Sequence, residues 1–298
     1  MSLLEIKNLT FTYGAGTAFE KTAVNNVSLS IEKGEFIGII GHTGSGKSTL
    51  IQMLNGLIRP SSGQVLLEGS DIWEKPKKIR NVRFRVGMVF QYPEYQLFEE
   101  TVEKDIAFGP RNMGLSQDEI NTRVADAARF VALRPELLKK SPFELSGGEK
   151  RRAAIAGVIA MDPEIMILDE PTAGLDPKGR DVLLTQIATY HKAKGNTVLL
   201  VSHSMEDISK IADRILVMNH GEMYAFDTTD NIFSKGEEIE KIGLQIPQIT
   251  KIMIELSRNG YKVPTGVYSV EQAVMEILKL RKGDSVPKEL DLRKGAGL

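Results

Sequence analysis

The sequence predicts an α/β fold with a parallel sheet flanked by helices. Three short apolar runs, at residues 36–40, 165–168 and 197–201, have the length and composition of strands buried on both faces. A helical pattern begins at Lys47 after the first run, and another over about 178–194 connects the other two. This alternation of strand and helix is the pattern of a parallel sheet covered by helices.

Further strands are predicted on both sides of this pattern. Residues 3–40 read largely as β-structure, and apolar and polar residues alternate over 27–32 with the period of a half-buried strand. Apolar runs also predict strands at 65–67 and 86–90. A fourth run is followed by Asn-His-Gly, so that residues 215–221 resemble the first strand and turn of a hairpin.

The character of the chain changes from about residue 229. Residues 247–257 and 269–282 have the spacing of two amphipathic helices. Their predicted apolar faces are Ile249, Ile252, Met253 and Leu256 in the first, and Val270, Ala273, Val274, Ile277 and Leu278 in the second. We therefore expect a main domain over 1–228 and a helical extension over 229–298.

Composition limits the possible functions. Among 298 residues, 38 Lys+Arg stand against 39 Asp+Glu, a net charge of −1, which argues against a protein that coats nucleic acid. The absence of cysteine excludes disulfides and cysteine metal sites and favours a reducing compartment. No apolar run approaches the about 20 residues of a membrane-spanning helix, and the N-terminus lacks a signal-peptide pattern. The chain is expected in the cytosol, although it could dock on a membrane protein.

A glycine-rich segment fits the phosphate-loop (Walker A) pattern G-x-x-x-x-G-K-[ST] between a predicted strand and a predicted helix, which is the context this motif requires. The residues expected to bind nucleotide are Gly41, His42, Thr43, Gly44, Ser45, Gly46, Lys47, Ser48 and Thr49. The glycines let backbone N–H groups face the phosphates, and the helix N-terminus adds positive potential. Lys47 supplies a cation and the Ser48 hydroxyl suits Mg²⁺. The sequence therefore predicts a site for a nucleoside triphosphate with Mg²⁺.

Two acidic residues, Asp169 and Glu170, follow the apolar run at 165–168. Carboxylates there are costly unless they are paired or bound to metal. In phosphate-loop enzymes the first acid helps to hold Mg²⁺, which predicts that role for Asp169, while Glu170 is a candidate to accept a proton from the attacking water or to orient it. His203 follows the next strand, near the usual ligand crevice of a parallel sheet, and could donate to the γ-phosphate.

A second motif suited to anion binding lies at the N-terminus of a predicted helix. Its residues are Ser146, Gly147, Gly148 and Glu149, after Leu145. Together with the phosphate loop, this LSGG-type signature resembles the nucleotide-binding subunits of ATP-binding-cassette (ABC) transporters, although Glu149 stands where glutamine is commoner. The resemblance implies a phosphate-loop NTPase fold with a mixed sheet and flanking helices, an antiparallel N-terminal β part, a helical signature subdomain at about 95–160 and a small C-terminal helical extension.

The resemblance also implies roles for individual residues. It implies an ATPase that binds ATP and Mg²⁺, in which the signature of one subunit faces the phosphate loop of the other across a head-to-tail dimer. Tyr13 matches the aromatic residue that stacks on adenine, and Gln91 matches the glutamine that reaches Mg²⁺ and senses the γ-phosphate. Residues 173–176 match the D-loop, and His203 matches the switch histidine. Glu170, His203 and Gln91 are thus the expected catalytic residues, and Ser48, Gln91 and Asp169 the expected metal-binding ones.

A narrower resemblance concerns residues 90–114, which are similar to the corresponding region of energy-coupling factor (ECF) transporter ATPases, the importers of vitamins and of cobalt or nickel. Residues 13–20 and 41–44 resemble the second of two paralogous ATPases, the CbiO-like A-prime type. This resemblance implies a peripheral protein on the cytoplasmic face of the cell membrane. It implies a heterodimer with a paralogous ATPase (or a homodimer), a transmembrane coupling subunit docking near Gln91 to Phe98, and an indirectly contacted substrate-binding membrane subunit.

Two alternatives stay open at this point. One is the ATPase of a conventional ABC importer or exporter, against which residues 90–114 and the C-terminal region argue. A remoter one is an ABC ATPase of DNA repair or translation. The interval between Lys47 and Ser146 has no sustained heptads, and only one cassette is present, so no nucleic-acid partner is expected. The cargo is chosen in another polypeptide, and no residue of this chain identifies it.

Overall fold

The computed structural model describes residues 2–282 of the chain. Its strands are β1 (Ser2–Tyr13), β2 (Lys21–Glu32), β3 (Phe36–Ile40), β4 (Ser62–Leu67), β5 (Ser70–Asp71), β6 (Val86–Val89), β7 (Ile165–Asp169), β8 (Thr197–Val201), β9 (Arg214–Asn219) and β10 (Glu222–Thr228). Its α-helices are α1 (Lys47–Leu54), α2 (Ile79–Arg85), α3 (Val102–Asn112), α4 (Gln117–Phe130), α5 (Gly147–Ile159), α6 (Pro177–Lys194), α7 (Met205–Ile211), α8 (Thr229–Ser234), α9 (Gly236–Lys241), α10 (Gln248–Arg258) and α11 (Val270–Lys282). None of these helices is long and apolar enough to cross a membrane.

The chain divides into two compact units. The first contains the residues up to His203 together with Ile211–Phe226, and the second contains Ser204–Lys210 and the residues from Asp227 onwards. The assignment of domains to 1–228 and 229–298 stays a prediction, and the part of it beyond residue 282 lies outside the described residues.

A four-stranded sheet in the order β2-β1-β4-β5 forms the N-terminal β part. Strand β1 pairs antiparallel with β2 and β4, and β4 pairs antiparallel with β5. The alternation in the sequence is reproduced in β2, where Val27, Leu29 and Ile31 are buried between exposed neighbours. The expected antiparallel N-terminal part is therefore confirmed.

A six-stranded sheet in the order β10-β9-β3-β8-β7-β6 carries the parallel strands. Strand β3 is parallel to β8 and β9, and β7 is parallel to β6 and β8. Strands β9 and β10 are joined by His220 and Gly221, both with positive φ, as a tight type I′ hairpin turn requires. The sheet is thus mixed, as expected, and the carboxyl ends of β3, β6, β7 and β8 lie along one edge.

One hydrophobic core joins the two sheets to α1 in the first unit. It contains Leu4 and Val27 from the antiparallel sheet, Ile39 and Leu199 from the parallel strands, and Leu50 from α1. A separate helical part is formed by α3, α4 and α5, which contact one another. Residues 95–160, predicted as the signature subdomain, include these three helices.

In the second unit, Met253, Val263, Val267, Ala273 and Leu280 form a small core of their own. The predicted helices are present, but the predicted faces are partly wrong. In α10 the buried residues are Thr250, Met253 and Ile254, since the Thr250 hydroxyl donates to the Val267 carbonyl at 2.7 Å and Met253 packs in the small core, whereas Ile252 is exposed. In α11 only Ala273 of the predicted face is buried, together with Leu280. The exposed members are Val270, Val274, Ile277 and Leu278.

Candidate functional site

The parallel strands bring most of the predicted site residues to one edge of the sheet. The phosphate loop follows β3, Gln91 follows β6 and His203 follows β8, while Asp169 ends β7 and Glu170 comes directly after it. The register aligns these ends, because Val201 of β8 is paired with both Asp169 and Ile39. Segments far apart in the chain therefore converge beside the phosphate loop.

The phosphate loop has a conformation that only glycine allows at two positions. Gly46 has φ 98° and precedes α1, and a Cβ there would collide with the Ala23 carbonyl oxygen. At Gly41 a Cβ would lie 2.5 Å from Ser45 Oγ and would also collide with the Met218 carbonyl oxygen. Of the glycines predicted to shape the loop, Gly41 and Gly46 are thus required by close backbone approaches.

Lys47 is held beneath the loop. Its side-chain Nζ donates to the carbonyls of Gly41 at 2.7 Å and His42 at 3.0 Å, and the residue is 6% exposed. Burial lowers the pKa of the Lys47 ammonium, and the nearby Glu170 and Asp169 carboxylates oppose that shift. A buried cation is thus held close to two acidic groups.

Asp169 is the buried acidic partner in this arrangement, with 7% exposure. Burial raises the pKa of its carboxyl group, whereas a hydrogen bond from the Ser48 side chain and the charge of Lys47 oppose the increase. Ser48 and Asp169, two of the predicted metal-binding residues, therefore lie near each other. Hydroxyl and carboxylate oxygens are donors that suit Mg²⁺.

The Glu170 carboxylate is contacted by both other predicted catalytic residues. Its Oε1 lies 2.7 Å from His203 Nε2, and its Oε2 accepts a hydrogen bond from Gln91 Nε2 at 3.2 Å. Glu170 has φ 48°, an unfavourable backbone conformation for a residue with a side chain, and its N–H donates to the Val201 carbonyl at 3.0 Å. The structure thus brings Glu170, His203 and Gln91 together around one carboxylate.

A cleft of 240 Å³ lies at the loop. Its lining residues are Tyr13, Lys21, Ala23, Gly44, Ser45, Gly46, Lys47, Ser48 and Thr49. Tyr13 is 45% exposed, and its hydroxyl lies 3.2 Å from Thr49 Oγ1. Lys21 and Ala23 were not predicted, because they belong to no motif and reach the cleft only through the course of β2.

The His42 ring contacts two other side chains. Its Nε2 lies 2.9 Å from Asn219 Oδ1, and its ring lies 4.8 Å from that of His220. Gly41, His42 and Thr43 are not among the residues that line the cleft. Of these three predicted residues, Gly41 and His42 contribute carbonyls to Lys47.

The signature residues stand at the N-terminus of α5. Ser146 caps the helix in a capping box with Glu149: the Ser146 hydroxyl donates to Glu149 Oε2 at 2.7 Å, and the Glu149 N–H donates back at 3.4 Å. Arg134 donates to Glu149 Oε1 at 3.1 Å. Within residues 2–282, none of Ser146, Gly147, Gly148 and Glu149 lines the cleft at the phosphate loop. The structure therefore does not bring the two anion-binding devices of one chain together.

The segment after Gln91 presents aromatic rings to solvent. Tyr92, Tyr95 and Phe98 are 43%, 85% and 61% exposed, whereas Pro93 is buried. A neighbouring groove of 420 Å³ has an apolar wall and three charged groups, Arg80, Arg83 and Asp105. Its apolar lining includes Phe84, Phe90, Leu97, Phe98, Phe108 and Met161. Exposed apolar surface of this kind is typical of a protein-binding site.

Comparison with known proteins identifies the family. The ABC transporter family profile matches residues 24–173. The energy-coupling factor transporter ATP-binding protein EcfA2 of Clostridium acetobutylicum is 53% identical over 278 residues, which cover 93% of this chain and 97% of that protein. The protein of the same name from Clostridium perfringens is 52% identical, with 95% and 99% covered. The chain belongs to the ECF transporter ATP-binding proteins of the ABC family.

Solved structures agree with this assignment. CbiO1 of Clostridium perfringens, part of the ABC transporter complex cbiONQ, superimposes with a TM-score of 0.72 at 36% identity, covering 85% of this chain and 99% of that one. A dimeric ATP-binding cassette bound to ADP and Pi gives 0.68 at 28% identity, covering 76% and 98%. The predicted fold class is confirmed, and this ECF-type chain is an ATP-binding, energy-coupling ATPase subunit of an ABC transporter.

The capping box gives a prediction about pH. The Ser146 hydroxyl, the Ser146 N–H and Arg134 together lower the pKa of Glu149 from its ordinary 4.5 to about 2, against a smaller effect of burial. Because the folded pKa is below the unfolded one, this interaction stabilises the chain above pH about 4.5 and is lost as pH falls towards 2. We expect Ser146→Ala to raise the pKa of Glu149, measured by carboxyl NMR titration. Ser116→Ala, in the similar capping box of α4, is the control; an unchanged titration of Glu149 in Ser146→Ala would contradict the assignment.

Proposed function

We propose that the chain hydrolyses ATP as one half of a composite-site dimer with a paralogous ATPase, on the cytoplasmic face of the membrane. The dimer would drive a transmembrane coupling subunit, which works with a substrate-binding membrane subunit. The contact of Glu170 with both Gln91 and His203, beside the phosphate loop, is the observation that carries this proposal. The cargo is inferred to be a vitamin or a transition-metal ion, the classes implied by the resemblance of residues 90–114.

The cleft at the phosphate loop is the proposed ATP site. Tyr13 is one of the residues that line it, and its exposed ring can stack on adenine. The hydrogen bond between the Tyr13 hydroxyl and Thr49 holds the ring in position. Lys21 adds a cation to the lining that the motifs do not include. The N-terminus of α1 and Lys47 supply positive potential for the phosphates. The predicted nucleotide-binding residues thus have distinct proposed tasks in binding the base and the phosphates.

Ser48, Asp169 and Gln91 are the residues that would hold Mg²⁺. The positions of Ser48, in the first turn of α1, and Asp169, at the end of β7, fit this role, since both bring a hard oxygen donor to the phosphate loop. When bound, the ion neutralises charge on the β- and γ-phosphates. Gln91, which donates to Glu170, would link the metal site to the catalytic carboxylate.

Glu170 is the proposed general base or water-orienting group. A base must lie within hydrogen-bond reach of the proton that it accepts, and the Glu170 carboxylate stands at the same sheet edge as the phosphate loop. His203 and Gln91 fix its orientation through its two oxygens. His203 is 47% exposed in its side chain, which leaves it accessible to donate to the γ-phosphate.

The signature is proposed to act in trans. Ser146, Gly147 and Gly148 open a helix whose N-terminus favours anions, yet they lie outside the cleft of their own chain. A second ATPase placed head to tail would bring its signature to this chain's phosphate loop. The γ-phosphate would then bridge the two chains, so that binding closes the dimer and hydrolysis reopens it. A heterodimer follows from the second-paralogue resemblance, and a homodimer remains the alternative that the purification below decides.

The transmembrane subunit is proposed to dock on the exposed segment between Gln91 and Phe98 and on the adjoining groove. Tyr92, Tyr95 and Phe98 supply apolar contact area, and the exposed Arg80 supplies a polar group in the lining of the groove. Phe98 packs edge to face on Phe108, with 5.0 Å between ring centres, which gives the surface a defined shape. This attachment would hold the chain at the membrane as a peripheral protein.

Replacing the proposed base tests the catalytic assignment. We expect Glu170→Gln to keep ATP binding, to favour the closed dimer and to lower turnover of the assembled ATPase by about 10²–10⁴-fold, the usual contribution of general-base catalysis. Glu164→Gln, just before the other end of β7 and paired with Arg85, is the control and should keep normal turnover. ATPase rates with parallel nucleotide-binding measurements decide this. A normal rate in assembled Glu170→Gln would remove the proposed role.

Replacing Ser146 of the signature by a bulky cationic residue tests whether the signature acts on the nucleotide of the partner. We expect Ser146→Arg to leave ATP binding to the isolated chain intact and to lower the turnover of the composite site by about 10²-fold, the scale for losing one donor to a developing anion. Ser116→Arg disrupts a similar capping box on α4 and serves as the matched control for helix destabilisation. Loss of nucleotide binding by isolated Ser146→Arg, but not by Ser116→Arg, would contradict a site completed in trans.

Purification from membranes tests the partners. We expect the wild-type chain to bring a second, paralogous ATPase and two membrane proteins, and Phe98→Asp to lose the membrane proteins because a charge would enter the apolar surface. Phe19→Asp, at an 88% exposed phenylalanine outside the groove, should retain them. Mass spectrometry of the purified material identifies the partners and the cargo-binding protein. Recovery of a homodimer, or retention of the membrane proteins by Phe98→Asp, would overturn the corresponding assignment.

A further inference from the structure

Arg151 contacts two loops from a buried position on α5. Its Nε and one terminal nitrogen donate to the two carboxylate oxygens of Glu94, at 3.1 and 2.8 Å. Its other terminal nitrogen donates to the carbonyls of Pro171 at 3.1 Å and Ala173 at 2.6 Å. The residue is 4% exposed. All three guanidinium nitrogens are therefore engaged in the protein interior.

The two loops are the continuations of the catalytic segments. Glu94 lies in the turn Pro93–Gln96, just after Gln91, and the carbonyls of Pro171 and Ala173 belong to the loop that directly follows Glu170. The Gln91 amide and the Glu170 carboxylate are themselves hydrogen-bonded. Arg151 thus forms a second connection between these loops, a short distance from the first.

The same side chain belongs to the signature helix. Arg151 lies about one and a half turns along α5 from Ser146, which caps the helix. Three elements therefore meet at one guanidinium: the turn after Gln91, the loop after Glu170 and the helix that presents the signature. A displacement of any one of them must either move the guanidinium or break hydrogen bonds to it.

The chemistry of arginine suits this junction. A buried charge needs partners, and the planar guanidinium can hold a carboxylate through two bonds while it donates to further carbonyls. Lysine has no such fork and cannot reproduce the arrangement. Although burial opposes ionisation of Glu94, the hydrogen bonds from Arg151 prevail and lower the pKa of its carboxyl group. The Glu94 carboxyl group is therefore ionised at neutral pH.

We propose that Arg151 is a positioning residue that transmits displacement of the turn Pro93–Gln96 to the loop after Glu170 and to the signature end of α5. The inference rests on the proposed function in one respect, since a partner docked on the segment between Gln91 and Phe98 would be the source of that displacement. The transmission itself is a property of this chain and can be measured without nucleotide or partner.

Hydrogen exchange on the full chain tests the transmission. The amide hydrogens of Ala173 and Leu175, bonded to the carbonyls of Glu170 and Thr172, report on the loop, and that of Lys150, bonded to the Ser146 carbonyl, reports on α5. We expect Glu94→Gln to accelerate exchange at all three by about tenfold, a factor equivalent to about 1.4 kcal/mol. Faster exchange confined to residues 92–98 would overturn the proposal.

Glu164→Gln is the matched control. It loosens another bidentate arginine pair, in which Arg85 donates to Glu164 at 2.5 and 2.8 Å, away from the catalytic loops. We expect it to leave exchange at Ala173, Leu175 and Lys150 unchanged. Equal acceleration at these amides in both variants would mean general loosening by the loss of an ion pair, and would overturn the specific role of Arg151.

A second variant, Arg151→Lys, tests the proposal if Glu94→Gln loosens the whole chain. It keeps the charge but loses the fork, and we expect faster exchange in the turn and the loop together. Adding Glu94→Gln to Arg151→Lys should then cause little further change at Ala173 and Leu175, since the connection is already broken. Additive effects would overturn the proposal. ATP binding and turnover of the wild-type assembly are measured separately, so failure of the proposed function stays distinguishable from failure of this inference.

Discussion

The candidate functional site depends on the parallel alignment of four strands, β6, β7, β8 and β3, whose carboxyl ends share one edge. The hydrogen bonds that unite Gln91, Glu170 and His203 join residues that are 79 and 33 positions apart in the chain (170 − 91 and 203 − 170). A slip of one residue between β7 and β8 would reverse the faces of the side chains and break these contacts. The continuous burial of these strands by apolar side chains is therefore what holds the polar site together.

Charge balance is the second requirement at this edge. Lys47 and Asp169 are both buried, and either charge alone would be costly to bury. Burial shifts the pKa of each group towards its neutral form, and the opposite charge nearby counteracts both shifts. The chain as a whole has a charge of only −1, so composition gives no sign of this concentration. The backbone of Glu170 is also strained, and it keeps this conformation because the surrounding sheet holds it in place.

Local motifs predicted much of the fold and the contents of the site. The phosphate loop needs no more than nine consecutive residues, 41–49, and the convergence of Asp169 and His203 follows from the general geometry of parallel sheets. What the sequence did not reveal depends on contacts between distant segments. Lys21 lines the cleft because of the path of β2, and Arg151 meets Glu94 across 57 positions (151 − 94). The burial of Thr250 in α10 likewise accompanies a hydrogen bond to Val267, which helical periodicity cannot indicate.

The position of Arg151 bears on how two composite sites could act together. Under the proposed function, Ser146 at the start of α5 serves the nucleotide of the partner, whereas Glu170 serves the nucleotide of its own chain. Arg151 connects α5, which begins after Ser146, to the loop that follows Glu170. Release of phosphate from the partner's site would therefore act, through the signature helix of this chain, on the loop beside Glu170. The site of this chain would thus be sensitive to the occupancy of the partner's site without any direct contact between the two nucleotides.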